Sequence, residues 1–154
     1  MGLGPSGREQ SMSEDHVATA SIAIDATPHR IWEVLTDPEA IREFMFGTTV
    51  ITDWTVGGPI RWRGEWEGRA YEDKGVILDV EPERRLVCTH FSPLTGKPDI
   101  PENYHTLTWT ITGDGPVELT LSQDNNPDEA AALHSTTMWE SLVRSVKDIA
   151  ERQD

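Results

Sequence analysis

Residues 24–41 read IDATPHRIWEVLTDPEAI and combine the end of a strand with the starts of two helices. Ile22 and Ile24 alternate with small or polar neighbours, a pattern typical of a half-buried strand. Thr27 and Asp37 each stand directly before a proline, and both side chains can cap a helix whose first residue is proline. The segment therefore predicts a strand followed by two short helices in direct succession.

The chain beyond these helices alternates between apolar and polar residues, which predicts a long run of strands. A Gly-Gly-Pro cluster at 57–59 indicates a turn, and three prolines within 92–102 indicate a loop. In one strand we expect Val76, Leu78 and Val80 to share a face. The predicted strands cover residues 48–53, 60–67, 70–80, 85–91, 104–112 and 117–121.

The last segment of the chain predicts a long amphipathic helix. Residues 127–152 contain no internal glycine or proline, and Trp139, Leu142, Val146 and Ile149 recur at intervals of three and four. A run of antiparallel strands with helices on one face is an α+β architecture. We therefore expect the long helix to lie across the concave face of the sheet.

Length and composition limit the class of protein. A chain of 154 residues suits one domain with a substantial core, and we expect that domain to cover residues 16–154. Residues 1–15 lack the apolar centre of a secretory signal and predict a disordered leader, either native or added by cloning. No apolar stretch reaches the ~20 residues of a membrane span, so we expect a cytoplasmic protein without a membrane partner.

Charge and cysteine content argue against several kinds of site. The net charge is −14, and 13 basic residues are scattered among 27 acidic ones, whereas nucleic-acid binding needs clustered Lys and Arg. The single cysteine, Cys88, excludes an internal disulfide and a cysteine-cluster metal site. His29, His90, His105 and His134 lack the local spacing of metal motifs. We therefore expect no metal and no cofactor.

Three stretches carry a resemblance to a known family. They are residues 24–41, residues 57–68 (GGPIRWRGEWEG) and residues 75–91 (GVILDVEPERRLVCTHF), and Trp139 matches a frequent tryptophan of the last helix. In this order they resemble the SRPBCC or START-like superfamily, and within it the family named after the C-terminal domain of the activator of the heat-shock-protein-90 ATPase. The resemblance spans residues 17–152. It implies a helix-grip fold, in which a curved antiparallel sheet wraps around a long C-terminal helix and a hydrophobic cavity.

The resemblance implies that inward-facing side chains line this cavity. Pockets of this kind are mostly apolar with a few placed polar groups. The alternative for the aromatic residues is that they fill a core. The predicted lining residues from the strands are Trp62, Trp66, Val76, Leu78, Cys88, His90, Leu107, Trp109 and Leu119. The long helix is expected to contribute Ser135, Met138, Trp139 and Leu142.

His90 is the candidate for acid–base chemistry, because imidazole titrates near neutral pH. The family often has an aromatic residue at this position, so His90 places a polar group at the cavity wall. The alternative is a hydrogen-bonded core histidine. Glu72 and Asp73 are expected on opposite faces of one strand, so they cannot act as paired carboxylates.

Three functions follow from these expectations. The first is binding of a small hydrophobic molecule between the sheet and the last helix. The second is a cyclase or dehydratase reaction that uses His90. The third is a stress-related or co-chaperone-like interaction module, as the resemblance suggests, with a homodimer as in some family members. The two-domain co-chaperone has an additional N-terminal domain where this chain has a short leader, so a chaperone partner is not expected.

Overall fold

The computed structural model describes residues 16–113 and 115–152, apart from the side chain of Trp66. The leader predicted over residues 1–15 lies outside the described residues. The described chain runs as one strand, two short helices, six strands and a long helix, as predicted. The strands are β1 (His16–Ile24), β2 (Thr49–Thr52), β3 (Pro59–Trp66), β4 (Arg69–Glu81), β5 (Arg85–His90), β6 (His105–Thr112) and β7 (Val117–Asn126). The helices are α1 (Pro28–Thr36), α2 (Pro38–Phe44) and α3 (Glu129–Ala150).

The predicted helix caps are present in the structure. The Thr27 hydroxyl accepts a hydrogen bond from the Arg30 amide at 3.1 Å, which begins α1. The Asp37 carboxylate accepts one from the Glu39 amide at 3.1 Å, which begins α2. Both caps satisfy amides that have no partner inside a helix, and both helices have proline in their first turn. Local sequence chemistry therefore sets where α1 and α2 begin.

All seven strands form one antiparallel sheet in the order β1-β7-β6-β5-β4-β3-β2. Strands β2 to β7 follow one another along the chain and across the sheet, whereas β1 pairs with β7 at the far edge. The sheet curves around α3. This arrangement confirms the predicted α+β helix-grip fold.

The long helix packs mainly against β1, and also against β7, α1 and α2. Its buried side is built from Leu142, Val143, Val146 and Ile149, which join the hydrophobic core. The guanidinium of Arg30 on α1 also donates to the final carbonyl oxygens of α3, at 3.1 and 3.3 Å. The C-terminal half of α3 is thereby fixed to the rest of the domain. Among the described helices, none has both the length and the apolar content needed to span a membrane.

The prediction that Val76 and Leu78 face inward was wrong. Their side chains are 40% and 46% exposed on the outer face, and Ile77 between them is fully buried. The pairing of β4 with β5 shifts between Ile77 and Asp79, so Leu78 is the extra residue of a β-bulge. Val80 beyond the bulge does pack against the core, and counting back from it in steps of two gives the wrong face.

Strands β4 and β5 approach each other closely at Gly75. A β-carbon at this position would overlap the carbonyl oxygen of Thr89. Beside it, Lys74 and Phe91 exchange two backbone hydrogen bonds, of 3.0 and 2.8 Å. The Val76 amide donates to the Thr89 hydroxyl at 2.9 Å. This contact brings the segment around Asp73 next to the end of β5.

Candidate ligand site on the inner face of the sheet

We call the face of the sheet turned toward α3 its inner face, and it carries a group of polar and aromatic side chains. Trp62 on β3 is paired with Asp73 on β4, and His90 on β5 is paired with His105 on β6. Because directly paired residues point to the same side of a sheet, these residues lie together on four neighbouring strands. We call Trp62, Asp73, His90 and His105 the His90 cluster.

The centre of this cluster is a hydrogen bond between two titratable side chains. Nε2 of His90 lies 2.9 Å from Oδ2 of Asp73. The side chains are 20% and 15% exposed, so the pair is largely withdrawn from water while part of each group faces open space. His90 thus reaches a carboxylate 17 residues away in the chain.

The other polar atom of each group lacks a hydrogen-bond partner. Nδ1 of His90 and Oδ1 of Asp73 are buried, and no described residue bonds to either atom. Most buried polar atoms in folded proteins are hydrogen-bonded, because an unsatisfied group costs roughly 1–3 kcal/mol. The pair is therefore incompletely satisfied by the protein's own side chains.

Two rings, those of Trp62 and His105, lie next to the His90 ring. The Trp62 and His90 rings meet edge to face with centroids 4.9 Å apart, and the His105 ring lies 6.3 Å from that of His90. Nδ1 of His105 lies 2.8 Å from the carbonyl oxygen of Asp124. A carbonyl oxygen only accepts, so Nδ1 of His105 carries a proton. In the neutral ring, its Nε2 is then an acceptor.

Two hydrogen-bonded hydroxyl groups, those of Thr48 and Tyr71, connect the inner face to the end of α2. Tyr71 crosses Gly64, where a β-carbon would collide with the phenol group. The Thr48 hydroxyl donates to the Met45 carbonyl oxygen at 3.0 Å and lies 2.7 Å from the Tyr71 hydroxyl. Since the Thr48 proton is already donated, Tyr71 donates to Thr48. This fixes the strand segment that precedes Asp73.

The segment between β5 and β6 joins His90 to His105 and is held to the sheet. The Tyr104 hydroxyl donates to Asp99 at 2.6 Å, and the Lys74 ammonium forms an ion pair with the same carboxylate. The contact with Lys74, and then that with Tyr104, lowers the pKa of Asp99, and the Asp99 carboxylate in turn raises the pKa of Lys74 and of Tyr104. The Phe91 and Tyr104 rings stack with centroids 5.1 Å apart.

Most of the residues predicted to line a cavity lie on the inner side, as part of the core or next to it. Trp139 is half-buried and its indole nitrogen lies 3.4 Å from the Gln123 amide oxygen. The Ser135 hydroxyl donates to the Asn126 amide oxygen at 3.2 Å. The buried members of the predicted set are Trp62, Cys88, Leu107, Trp109, Leu119 and Leu142.

Other members of the predicted set are placed differently. Met138 on α3 is 51% exposed and lies at the margin of the buried side of the helix, so its place among the lining residues stays a prediction. Val76 and Leu78 lie on the outer face, as described above. The side chain of Trp66 lies outside the described residues.

Cys88 is buried on the inner side, and burial raises the pKa of its thiol to about 12. The thiol is therefore a poor nucleophile at neutral pH.

Asp73 was missed as a member of the site. The prediction that Asp73 and Glu72 lie on opposite faces of one strand is confirmed, because the Glu72 carboxylate pairs with Arg61 and Arg63 on the outer face. Its actual partner is His90 on the neighbouring strand. Only the β4–β5 register brings these residues together, and no local motif encodes that register.

Surface clefts elsewhere lack this chemistry. One cleft of about 730 Å³ lies beside the start of α1 and the β6–β7 turn, and its lining includes Asp25, Thr27 and Lys147. It contains no buried polar atom without a partner among the described residues, so we place the candidate site at the His90 cluster. In the described part of the chain, no group of three or more His, Cys, Asp or Glu side chains is arranged to hold a metal ion.

The topology defines a helix-grip domain, and comparison with known proteins identifies its family. The sequence model of the family described as Activator of Hsp90 ATPase homolog 1-like protein matches residues 25–151. This chain belongs to that family, which confirms the resemblance. No curated protein is similar to the chain at a significant level.

Solved structures share the fold over nearly the whole chain. ChR145 from Cytophaga hutchinsonii is 48% identical, with 88% of this chain and 93% of that chain covered and a TM-score of 0.77. CV1439 from Chromobacterium violaceum is 19% identical, with 90% and 99% covered and a TM-score of 0.76. The Aha1 dimer from Colwellia psychrerythraea is 17% identical, with 88% and 96% covered and a TM-score of 0.67.

Proposed function

We propose that the protein binds a small, mainly hydrophobic molecule on the inner face of the sheet, at the His90 cluster. The observation that carries this proposal is the pair of buried polar atoms, His90 Nδ1 and Asp73 Oδ1, that have no partner among the described residues. Aromatic rings next to a few unsatisfied polar atoms are the composition of small-molecule sites. A ligand with one polar end would complete these hydrogen bonds and pack its apolar body against Trp62.

The position of the cluster supports access by a ligand. One-fifth of the His90 side chain faces open space, although Nδ1 itself lies under its neighbours. The end of β5 and the start of β6 border this part of the inner face. The segment that connects them contains two 3-10 turns, Pro93–Thr95 and Pro101–Asn103.

A probe titration tests the proposal. We expect 1-naphthol to shift the NMR signals of the Trp62 indole and of strands β3 to β6. Trp62→Leu should weaken this binding about fivefold, because the ring contact contributes about 1 kcal/mol. Trp32→Leu is the matched control, since Trp32 is a half-buried tryptophan on α1 and should leave the affinity unchanged. Shifts confined to the 730 Å³ cleft, or unchanged affinity in Trp62→Leu, would contradict the proposal.

A second candidate is an enzyme of the cyclase or dehydratase type. It is favoured by the 2.9 Å hydrogen bond between His90 and Asp73, because a carboxylate that holds an imidazole is a recurring arrangement for a general base. In this reaction, Asp73 would orient the ring and Nδ1 would take a proton from the substrate. Apart from this pair, the described cluster supplies His105 as a second acceptor.

Assembly as a homodimer is a third property that we propose for testing. One structural relative is the Aha1 dimer from Colwellia psychrerythraea. A native mass of twice 17.2 kDa for this chain would support pairing. A native mass of 17.2 kDa at micromolar concentration would contradict the proposed dimer.

A further inference from the structure

We infer that Phe46, which directly follows the C-cap residue of α2, contacts the apolar body of the small molecule bound at the His90 cluster. This contact rests on the proposed binding function and adds to the site a residue from outside the sheet. The backbone conformation of Phe46, the exposure of its ring and the placement of its neighbours all support this contact.

Phe46 occupies a backbone position that usually belongs to glycine. The Gly47 amide donates to the Arg42 carbonyl oxygen at 2.7 Å. The Phe46 amide donates to the Glu43 carbonyl oxygen at 3.2 Å, which completes a Schellman motif at the end of α2. The motif requires a left-handed residue, and Phe46 has a φ of 55°. Because a β-carbon crowds the backbone in this conformation, the fold alone would favour glycine here.

The ring of Phe46 does not offset this backbone strain by packing in the core. Phe46 is 71% exposed, the highest value among the large hydrophobic residues that the structure describes as exposed. By contrast, Trp54 also has a left-handed backbone, with a φ of 61°, but it packs against the core. Residues that are strained without benefit to the fold are concentrated at functional sites. A phenyl ring in water gains most from contact with an apolar partner.

The chain on both sides of Phe46 is attached to the inner face of the sheet. Two residues earlier, Phe44 is buried, and its ring meets that of Trp109 edge to face with centroids 6.0 Å apart. Two residues later, the Thr48 hydroxyl lies 2.7 Å from the Tyr71 hydroxyl. Phe46 therefore lies at the rim of the inner face, between these two contacts.

The register of the sheet relates this rim to the His90 cluster. Trp62 and Asp73 are directly paired across β3 and β4. Tyr71, which meets Thr48, lies two residues before Asp73 on the same face and thus about 7 Å along the strand. A ligand body that packs on Trp62 and extends one such step along the strands reaches the segment that carries Phe46.

Two substitutions separate the ring from the backbone strain. Phe46→Gly removes both, whereas Phe46→Ala removes the ring and keeps a β-carbon in the left-handed conformation. We expect both variants to bind 1-naphthol about fivefold more weakly than the unmodified chain, as read from the NMR shifts of inner-face residues. In urea denaturation, the unfolding equilibrium constant of Phe46→Gly should be about two- to fivefold smaller, because the strain is relieved.

Phe46→Tyr keeps an aromatic ring and should retain the affinity. Leu133→Ala is the matched control, because Leu133 on α3 is another exposed apolar residue, at 63%, and it should leave the affinity unchanged. Unchanged affinity in Phe46→Gly and Phe46→Ala would overturn the role of Phe46 and leave the binding function intact. A Phe46→Gly variant less stable than the unmodified chain would overturn it too, since the ring would then serve the fold. Absence of 1-naphthol binding at the inner face of the unmodified chain would overturn both.

Discussion

At the scale of single residues, the His90–Asp73 pair is the feature that most needs a functional explanation. Nε2 of the histidine is satisfied at 2.9 Å, whereas one atom of each group is buried without a partner in the described chain. A purely structural pair gains little from leaving two polar atoms unsatisfied. The pair is better explained as one half of an interaction with a molecule that enters the cluster.

The enzyme alternative makes a prediction for His90 that the binding function does not. If the pair acts as a general base, the protein should open 5-nitrobenzisoxazole, an activated carbon acid that needs only proton abstraction. His90→Gln should then lose about 100-fold in rate, which is the lower range for general-base catalysis. The rate is followed by the absorbance of the released phenolate.

His134→Gln is the control for this measurement, since His134 is an exposed histidine on α3. It should retain the full rate. A rate no greater than that of free imidazole at the same concentration would remove the enzyme alternative. It would leave ligand binding untouched.

Of the two residues in the pair, only His90 could be identified from the sequence. His90 could be selected from the sequence, because an imidazole on an inward strand face is unusual in an apolar setting. Asp73 could not be selected, because its role depends on a partner 17 residues away across the β4–β5 pairing. Both residues belong to the site only through that register.

At the scale of elements, the close contact between β4 and β5 determines the site. Gly75 lies against the Thr89 carbonyl oxygen, and the bulge at Leu78 then reverses which residues face inward. Periodicity alone placed Val76 and Leu78 on the inner face, because simple alternation contains no bulge. The helix starts were predicted correctly, since Thr27 and Asp37 act on amides two or three residues away.

Gly75→Ala should destabilise the domain by about 1–3 kcal/mol, because the added methyl group overlaps backbone that cannot rotate away. The free energy of unfolding is measured by urea denaturation. Gly115→Ala is the control, because its β-carbon would meet no atom within 4 Å, and it should cost much less. Equal stability of the Gly75 variant and the unmodified chain would show that the β4–β5 contact is looser than described.

At the scale of the whole molecule, the element order, the family and the position of α3 were predicted from the sequence. These features follow from caps, periodicity and three ordered motifs that act over short distances. The site combines side chains from β3, β4, β5 and β6, so it depends on the assembled sheet. The fold is therefore more readable from sequence than the chemistry that it supports.

Native mass spectrometry of the chain purified from its source cells tests the central claim, that the inner face holds a small molecule. We expect a reproducible mass added to 17.2 kDa that disappears on denaturation. The added mass should be strongly reduced in Asp73→Asn and retained in Glu72→Gln. A spectrum of the unmodified chain without any added mass, under conditions that preserve its fold, would contradict the account.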